Sequence, residues 1–322
     1  MNQRQSLAVV VPAYNEGEGL HAFHARLAPV LDGLDLDSRV IYVDDGSKDD
    51  TWAVMQALAA SDPRVATLRL SRNFGKELAM TAGLDYADAD AVVVIDADLQ
   101  DPPEIIAQFV ERWREGYDVV YGTRAERHGE SWLKKATAAM FYRFIGRISP
   151  TPIPADTGDF RLLGRRAHQA LKGLRERHRF MKGLFAWVGF RQVALVYQRD
   201  PRHAGTSKFN YWKLWNFAIE GITSFSAAPL KLATYVGVLT ALVAFGFGLW
   251  VVGKAIVFGD PVRGYPSLMA VMLFLGGVQL MALGVIGEYL GRLFMESKQR
   301  PLYLLDVVEP ARHDREPPLP GA

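Results

Sequence analysis

Three carboxylates, Asp96, Asp98 and Asp101, directly follow the apolar run Ala91-Val-Val-Val-Ile95 and directly precede Pro102-Pro103. Strand side chains alternate, so Asp96 and Asp98 point the same way wherever extended geometry continues. Like charges this close repel unless something positive lies between them. A hard divalent cation held by oxygen ligands fits, with substrate phosphates completing its shell. A second acidic pair, Asp44-Asp45, ends the apolar run 39–43. A lone Asp-x-Asp is commonly just a solvated turn. Here the apolar strand before it and Gln100-Asp-Pro-Pro103 after it sharpen the signal. Acids at two strand ends suit a nucleotide held by carboxylate contacts to base and ribose, with a metal at its phosphates.

Such a site needs a sheet whose strands end together. The run 91–95 is continuously apolar and β-branched, the mark of a strand buried on both faces. The spacing predicts further strands at 7–11, 39–43, 65–70, 118–122 and 193–197. Helices are predicted at 17–34, 77–87, 103–115 and 165–174. Ser47 and Asp50 have capping-box spacing, so a helix is expected from there to about residue 60. Alternation of this kind gives an α/β fold, a doubly wound and mainly parallel sheet, with ligands at the carboxyl ends of the strands. The segment from Asp156 to Arg161 interrupts the pattern, and 199–209 reads as a loop able to close over a substrate.

Composition narrows the chemistry. The 322 residues hold no cysteine, which removes thiolate nucleophiles, disulfides and cysteine-zinc sites. A formal net charge of +2 gives no case for nucleic acid. No Gly-x-Gly-x-x-Gly follows the first strand and no Gly-Lys-Ser/Thr loop occurs, so dinucleotide and P-loop chemistry are disfavoured. The amino terminus lacks the pattern of a cleavable signal peptide.

At 49% hydrophobic residues, the chain also carries two long uncharged stretches, 232–253 and 264–287. At ~1.5 Å rise per residue each can cross a ~30 Å hydrocarbon layer. The short connector makes them an antiparallel hairpin. Lys208, Lys213 and Lys231 before it and Arg292, Lys298 and Arg300 after it place the large domain in the cytoplasm by the positive-inside tendency. Two amphipathic helices, 132–148 and 211–225, carry basic and aromatic residues suited to a headgroup layer; 132–148 equally reads as a helix packed on the sheet with its lysines in solvent. Arg175, Arg177 and Arg179 read as solvated or headgroup-facing charge. Glycines at 276, 277, 284, 287 and 291 would let helices of a homo-oligomer pack closely. The end of the chain, from about residue 309, reads as disordered.

Taken together, Val11-Pro-Ala-Tyr-Asn-Glu16, Val43-Asp-Asp-Gly-Ser47, Asn73-Phe-Gly-Lys76, Asp96-Ala-Asp-Leu-Gln-Asp-Pro-Pro103, Gly122-Thr-Arg124, Asp156-Thr-Gly-Asp-Phe-Arg161 and Gly205-Thr-Ser-Lys208 resemble glycosyltransferase family 2. Within it, with the two apolar spans, the chain is similar to the polyprenyl-phosphate glycosyltransferases: the dolichol-phosphate mannose synthase group and, nearer, the bacterial bactoprenol glucosyltransferases. The resemblance covers about residues 7–300. It implies a GT-A fold in a cytoplasmic catalytic domain (1–210). A juxtamembrane helix (211–230), two transmembrane helices within 231–295 (about 232–257 and 265–290) and a cytoplasmic tail (296–322) complete the chain.

The resemblance also implies roles. Pro12, Tyr14 and Glu16 line the nucleotide pocket, and Asp45 accepts from the pyrimidine, with Asp44 nearby or only forming the turn. Lys76 belongs to the donor site, and Asp96 meets the ribose or the diphosphate. Asp98, with Gln100 and Asp96, holds Mg²⁺ or Mn²⁺. Arg124 meets the acceptor phosphate, helped by Lys134 or Lys135 unless these are merely solvated. Asp159 occupies the position of the family's proposed base. Arg202, Ser207 and Lys208 close on the diphosphate. The implied reaction is inverting transfer of a hexose to polyprenyl phosphate at the cytoplasmic face of a bacterial inner membrane, for cell-envelope glycan modification. UDP-glucose is the first choice of donor. GDP-mannose, a UDP-amino-arabinose derivative and UDP-N-acetylhexosamine are alternatives. A processive synthase would carry a Gln-x-x-Arg-Trp motif, which the chain lacks. A non-catalytic membrane scaffold would not need intact acids at both strand ends.

Overall fold

The computed structural model describes residues 4–124, 157–177, 179–198, 228–258 and 264–312. The expected helices 132–148 and 211–225, the loop 199–209, and Lys134, Lys135, Arg202, Ser207 and Lys208 lie outside the described residues.

Eight strands form one sheet in the order β7-β5-β6-β4-β1-β2-β3-β8. Strands β1 (Ser6–Ala13), β2 (Asp37–Asp44), β3 (Val65–Leu70) and β4 (Ala91–Val94) are mutually parallel, with β1 between β2 and β4. Their residues face packed helices on both sides, which is why they read as unbroken apolar runs. On one face lie α1 (Gly17–Asp32) and α4 (Ile106–Arg114), which a 3₁₀ turn (Pro103–Ile105) precedes. On the other lie α3 (Lys76–Tyr86), α5 (Arg165–Gly173) and α6 (Met181–Trp187). Helix α2 (Thr51–Ser61) packs beside α1. Gly83 lets α3 lie close on the sheet: a Cβ there would stand 2.3 Å from Val10 Cγ1.

Three features differ from the expectation. The segment that interrupts the strand–helix pattern is itself a strand: β6 (Thr157–Gly164) is buried, antiparallel to both β4 and β5 (Val119–Arg124) and inserted between them. Beyond it, β7 (Gln192–Tyr197) pairs with β5 in parallel. A strand that the spacing does not predict, β8 (Leu305–Glu309), lies antiparallel to β3, ahead of the tail expected to be disordered from about residue 309. Helix α2 starts at Thr51 rather than at Ser47. Ser47 instead accepts the Asn15 amide on its hydroxyl and donates its own amide to Asp44 within the turn, so its capping-box spacing is a coincidence of turn chemistry.

Two long helices follow, α7 (Ala228–Phe258) and α8 (Tyr265–Ser297), packed against each other. Both are long and apolar enough to cross a membrane, over Leu232–Trp250 and Phe274–Ser297, and none of either stretch is buried.

Candidate active site

At the carboxyl ends of β1 and β2 two loops are stapled together. Asn15, at φ +54°, takes a hydrogen bond from the Lys48 amide on its side-chain oxygen (2.9 Å), and its own amide donates to Ser47 Oγ (3.0 Å). The Glu16 amide donates to Thr51 Oγ1 at 2.9 Å. Pro12 is buried beneath this junction, Tyr14 stands exposed on it, and Glu16 is half-buried. The three residues expected to line a nucleotide pocket thus lie along the end of β1 and the loop after it, with Tyr14 alone among them exposed to solvent.

Asp44 and Asp45 are both buried and play separate parts. Asp44 Oδ1 accepts the Ser47 amide at 2.8 Å, closing the turn, and Arg69 Nε lies 3.3 Å from its other oxygen. Asp45 turns the other way. Its two oxygens accept the amides of Phe74 (2.7 Å) and Gly75 (2.9 Å), which fixes the loop leading into α3. Burial pushes the Asp45 carboxyl up, against the pull of those two amides. Gly46 makes the close approach possible. Its φ is +67°, and a Cβ would sit 2.6 Å from the Arg72 carbonyl carbon. Asp45 thus already holds a loop through the face assigned to the pyrimidine.

That loop delivers Lys76. Its Nζ stands 2.7 Å from the Asp96 carboxylate and 2.5 Å from Asp159 Oδ2. Asp159 reaches this point because β6 runs antiparallel to β4, which sets its start beside the end of β4. Burial would weaken the Lys76 ammonium as a base-bound cation, but two carboxylates overcome it and raise its pKa. The sharing is unequal: burial holds Asp96 above the usual carboxylate range, whereas Lys76 overcomes burial at Asp159 and holds it below. Among the described residues Asp159 Oδ1 has no hydrogen-bond partner.

Asp98 departs from the expected geometry. The chain leaves β4 at Val94 and turns, with Leu99 buried at φ +58°. Asp98 Oδ1 accepts the Gln100 amide at 3.1 Å, an Asx-type turn. Extended geometry does not persist, so Asp96 and Asp98 are not a strand-alternation pair: Asp96 is engaged by Lys76 while Asp98 sits on the turn. A left-handed, non-glycine residue between Asp98 and a buried Gln100 is strain of the kind that gathers at functional sites. Asp101 is buried and accepts the Tyr197 hydroxyl, tying the turn to β7. Arg124 is the last residue of β5, in register with Tyr197.

Two charges beside the cluster, one buried and one half-buried, are not singled out by the motifs. Arg161 lies under the cluster with its guanidinium 3.7 Å from the Phe185 ring centroid, and Nη2 donates to the Gly158 carbonyl at 2.7 Å. Burial, only partly offset by Asp159 and Glu77, lowers it to about 10. Glu77 follows Lys76 on α3 and accepts the Met181 amide at 3.1 Å. Burial, with Asp159 nearby, lifts its pKa to about 7. Arg179 is a correction: it is buried, with Nη1 on the Leu174 carbonyl at 2.5 Å, rather than solvated.

The carboxylates at this end of the sheet supply oxygen donors, the type a hard cation prefers. Among the described residues no group of three acidic or imidazole side chains forms a closed metal cage. A cation here would therefore need oxygens from a ligand as well.

Known proteins agree with this architecture. The family model "Glycosyl transferase family 2" matches residues 8–172, and "GtrB C-terminal hairpin" matches 228–293. An uncharacterized glycosyltransferase of Synechocystis sp. is 54% identical over 93% of this chain and 94% of its own length. The bactoprenol glucosyl transferase of Shigella phage SfV is 47% identical over 93% of this chain and 97% of its own. A prophage bactoprenol glucosyl transferase homolog of Escherichia coli K12 is 45% identical over 94% and 99%. The family 2 match over the sheet and these relatives, each aligned over more than nine-tenths of the chain, settle the class: the protein is a glycosyltransferase and belongs to glycosyl transferase family 2.

Proposed function

We propose that the chain transfers a hexose, glucose first among the candidates, from a nucleoside diphosphate sugar to a polyprenyl phosphate at the cytoplasmic face of the membrane. The observation that carries this reading is the joining, in one chain, of the Lys76–Asp96–Asp159 cluster to a pair of outward-apolar helices. A charged donor is confined to water and a polyprenyl chain to lipid, so the cleft has to work at their boundary. The names of the Shigella phage and Escherichia coli relatives support a bactoprenol acceptor and a glucosyl group.

In this reading Pro12, Tyr14 and Glu16 receive the nucleotide, and Asp45 shapes the pocket through the Phe74–Gly75 backbone. Asp98 would hold Mg²⁺ or Mn²⁺ together with diphosphate oxygens, with the Gln100 side chain in reach of the same turn. The cation would neutralise charge gathering on the leaving diphosphate. Asp96, engaged by Lys76, serves the donor's ribose or diphosphate more readily than the metal. The acceptor phosphate attacks the anomeric carbon from the face opposite the diphosphate. One carbon–oxygen bond forms as the other breaks, the bonding pair leaves with the diphosphate, and the configuration inverts. A phosphate monoester with a second pKa of about 6 is largely dianionic at neutral pH, so no base is required. Asp159, held ionised by Lys76, then positions that lysine near the reacting phosphates instead of removing a proton. Arg124, with Lys134 or Lys135, would meet the acceptor, and Arg202, Ser207 and Lys208 would close on the donor.

The test is a donor screen with the full-length chain, undecaprenyl phosphate and Mg²⁺ or Mn²⁺, with products identified by mass spectrometry. A glucosylated lipid phosphate formed from UDP-glucose is the expected result. Transfer from another nucleotide sugar would change the donor assignment, and the absence of a lipid-linked sugar with every donor would overturn the reading.

A further inference from the structure

Where α8 ends, the chain turns back towards the sheet and encloses a cavity of about 520 Å³. Arg175, Arg177 and Arg300 line it, together with Glu296, Gln299 and Tyr303. The cations are braced from outside. Arg175 Nη1 donates to both oxygens of Asp85, at 2.7 and 2.9 Å, and the Tyr303 hydroxyl donates to the same carboxylate at 2.8 Å. The Arg177 amide donates to Glu296 at 2.6 Å, and its Nη2 donates to the Arg300 carbonyl. With Arg175 matched by Asp85, the guanidiniums of Arg177 and Arg300 against the one lining carboxylate, Glu296, still leave an excess of positive charge. Arg179 adds a buried cation close enough to Arg175 to feel its charge, and its Nε has no hydrogen-bond partner among the described residues.

The depth of the cavity suggests what fills it. The apolar exposure of α8 does not stop at Glu288: Leu290, Leu293 and Phe294 are 61%, 64% and 56% exposed. Glu288 and Arg292 pair at 2.9 Å along the helix. Taking α8 as a membrane-crossing helix, as the proposed function does, the apolar layer reaches close to Ser297. Arg300 then follows within one helical turn's length, about 5 Å, where lipid phosphates lie. A planar guanidinium fork matches two phosphate oxygens at once.

We infer that this cavity binds the phosphate of an anionic lipid headgroup and thereby fixes the end of α8 against α3 and the loop after α5. It is separate from the reacting centre, sharing no residue with it. The bound phosphate would set how the catalytic sheet stands on the bilayer.

The experiment uses the full-length chain in detergent, titrated with phosphatidylglycerol, phosphatidylcholine or inorganic phosphate, and counts retained adducts by native mass spectrometry. Phosphatidylglycerol is expected to be retained over phosphatidylcholine and to resist equimolar inorganic phosphate. Arg300→Gln, at an exposed side chain, should lower its retention roughly tenfold, the scale of one charge-assisted hydrogen bond. Arg177→Gln should act likewise. Lys298→Gln makes the same charge change outside the cavity, where Nζ lies 4.1 Å from the Phe294 ring centroid, and should leave retention unchanged. Equal loss in Arg300→Gln and Lys298→Gln, or no loss in either, overturns the inference, as does inorganic phosphate retained in place of lipid. Flotation with phosphatidylcholine vesicles separates this failure from failure of the membrane reading: a chain that does not float refutes the latter. A chain that floats while Arg300→Gln keeps its phosphatidylglycerol refutes only the cavity.

Discussion

At the amino end of the sheet, Arg4, Arg64, Arg165 and Arg166 face Asp35, Asp32, Asp88, Asp90 and Asp118 around a concavity of about 1220 Å³. At the carboxyl end one lysine serves two carboxylates. The first site has more charges. Each of its pairs, however, keeps at least one well-exposed partner: the Arg4 and Asp35 side chains are 66% and 77% exposed, and those of Asp32, Asp88 and Arg166 67%, 87% and 73%. The Asp159 side chain is only 12% exposed and the Asp96 side chain 22%. Water screens the first set and leaves each pair nearly neutral in energy, whereas the second set stays at high electrostatic cost until a charged ligand arrives. Desolvation, not the number of charges, separates a reactive end from a merely polar one.

The harshest challenge to this contrast is Asp98→Asn. Asparagine keeps the oxygen that accepts the Gln100 amide, so the turn should survive. Loss of one formal charge at a cation's carboxylate should lower kcat by about a thousandfold or more. Thermal unfolding should be unchanged. Steady-state sugar transfer and a melting curve on the same preparation check both halves. Full activity would remove the metal from the carboxyl end.

Next is Lys76→Met, which leaves Asp96 and Asp159 facing each other without a cation. Breaking a fully buried pair costs about 3–5 kcal/mol. Lys76 is 45% exposed, so about 2 kcal/mol is expected here, visible by denaturant unfolding of the full chain. Activity should fall at least about a hundredfold, because both carboxylates lose their position.

The amino-acid sequence made the parallel half of this site readable and concealed the rest. Runs such as Leu7-Ala-Val-Val-Val11 and Ala91-Val-Val-Val-Ile95 are buried on both faces, so composition alone marks them, and their acidic ends mark the site. Strand β6 is equally buried, yet it begins Thr157-Gly-Asp and carries Arg161. That arginine is covered by the Phe185 ring, a tertiary contact, and by the Gly158 and Asp159 carbonyls of its own strand. Strand β8 is a short edge strand whose partner, β3, lies more than two hundred residues earlier, so no local periodicity announces it. The Lys76–Asp159 contact, across 83 residues, depends on the antiparallel insertion of β6 and could not be drawn without it.

A gentler probe is pH. Glu77 has a folded-state pKa of about 7 against an ordinary 4.5, through burial and the neighbouring Asp159. The folded state therefore favours its protonated form. The stability this contributes is fully present below pH about 4.5 and is lost as pH rises through about 7. Glu77→Gln should remove that slope. The melting temperature of the wild type should fall relative to the variant between those limits and run parallel to it above them. Parallel curves throughout would place Glu77 in a wetter, more ordinary setting, like that of the acids at the amino end.

The smallest effect belongs to that other end. Arg4 donates through Nε to Asp35 at 2.7 Å and through Nη2 to the same oxygen. Geometry this close would suggest strength if distance were all that counted. Both side chains are mostly in water, so the attraction gained on pairing is nearly matched by hydration and rotamer freedom given up. Arg4→Ala should change unfolding free energy by no more than about 0.5 kcal/mol and leave sugar transfer unaltered. A double-mutant cycle with Asp35→Ala should return a coupling of less than about 1 kcal/mol that shrinks further as salt is added. The equivalent cycle of Lys76→Met with Asp159→Asn should give a coupling of about 1–2 kcal/mol that salt barely moves, since one member is nearly sealed from solvent. If the two cycles agreed in size and salt response, burial would not be what distinguishes the ends.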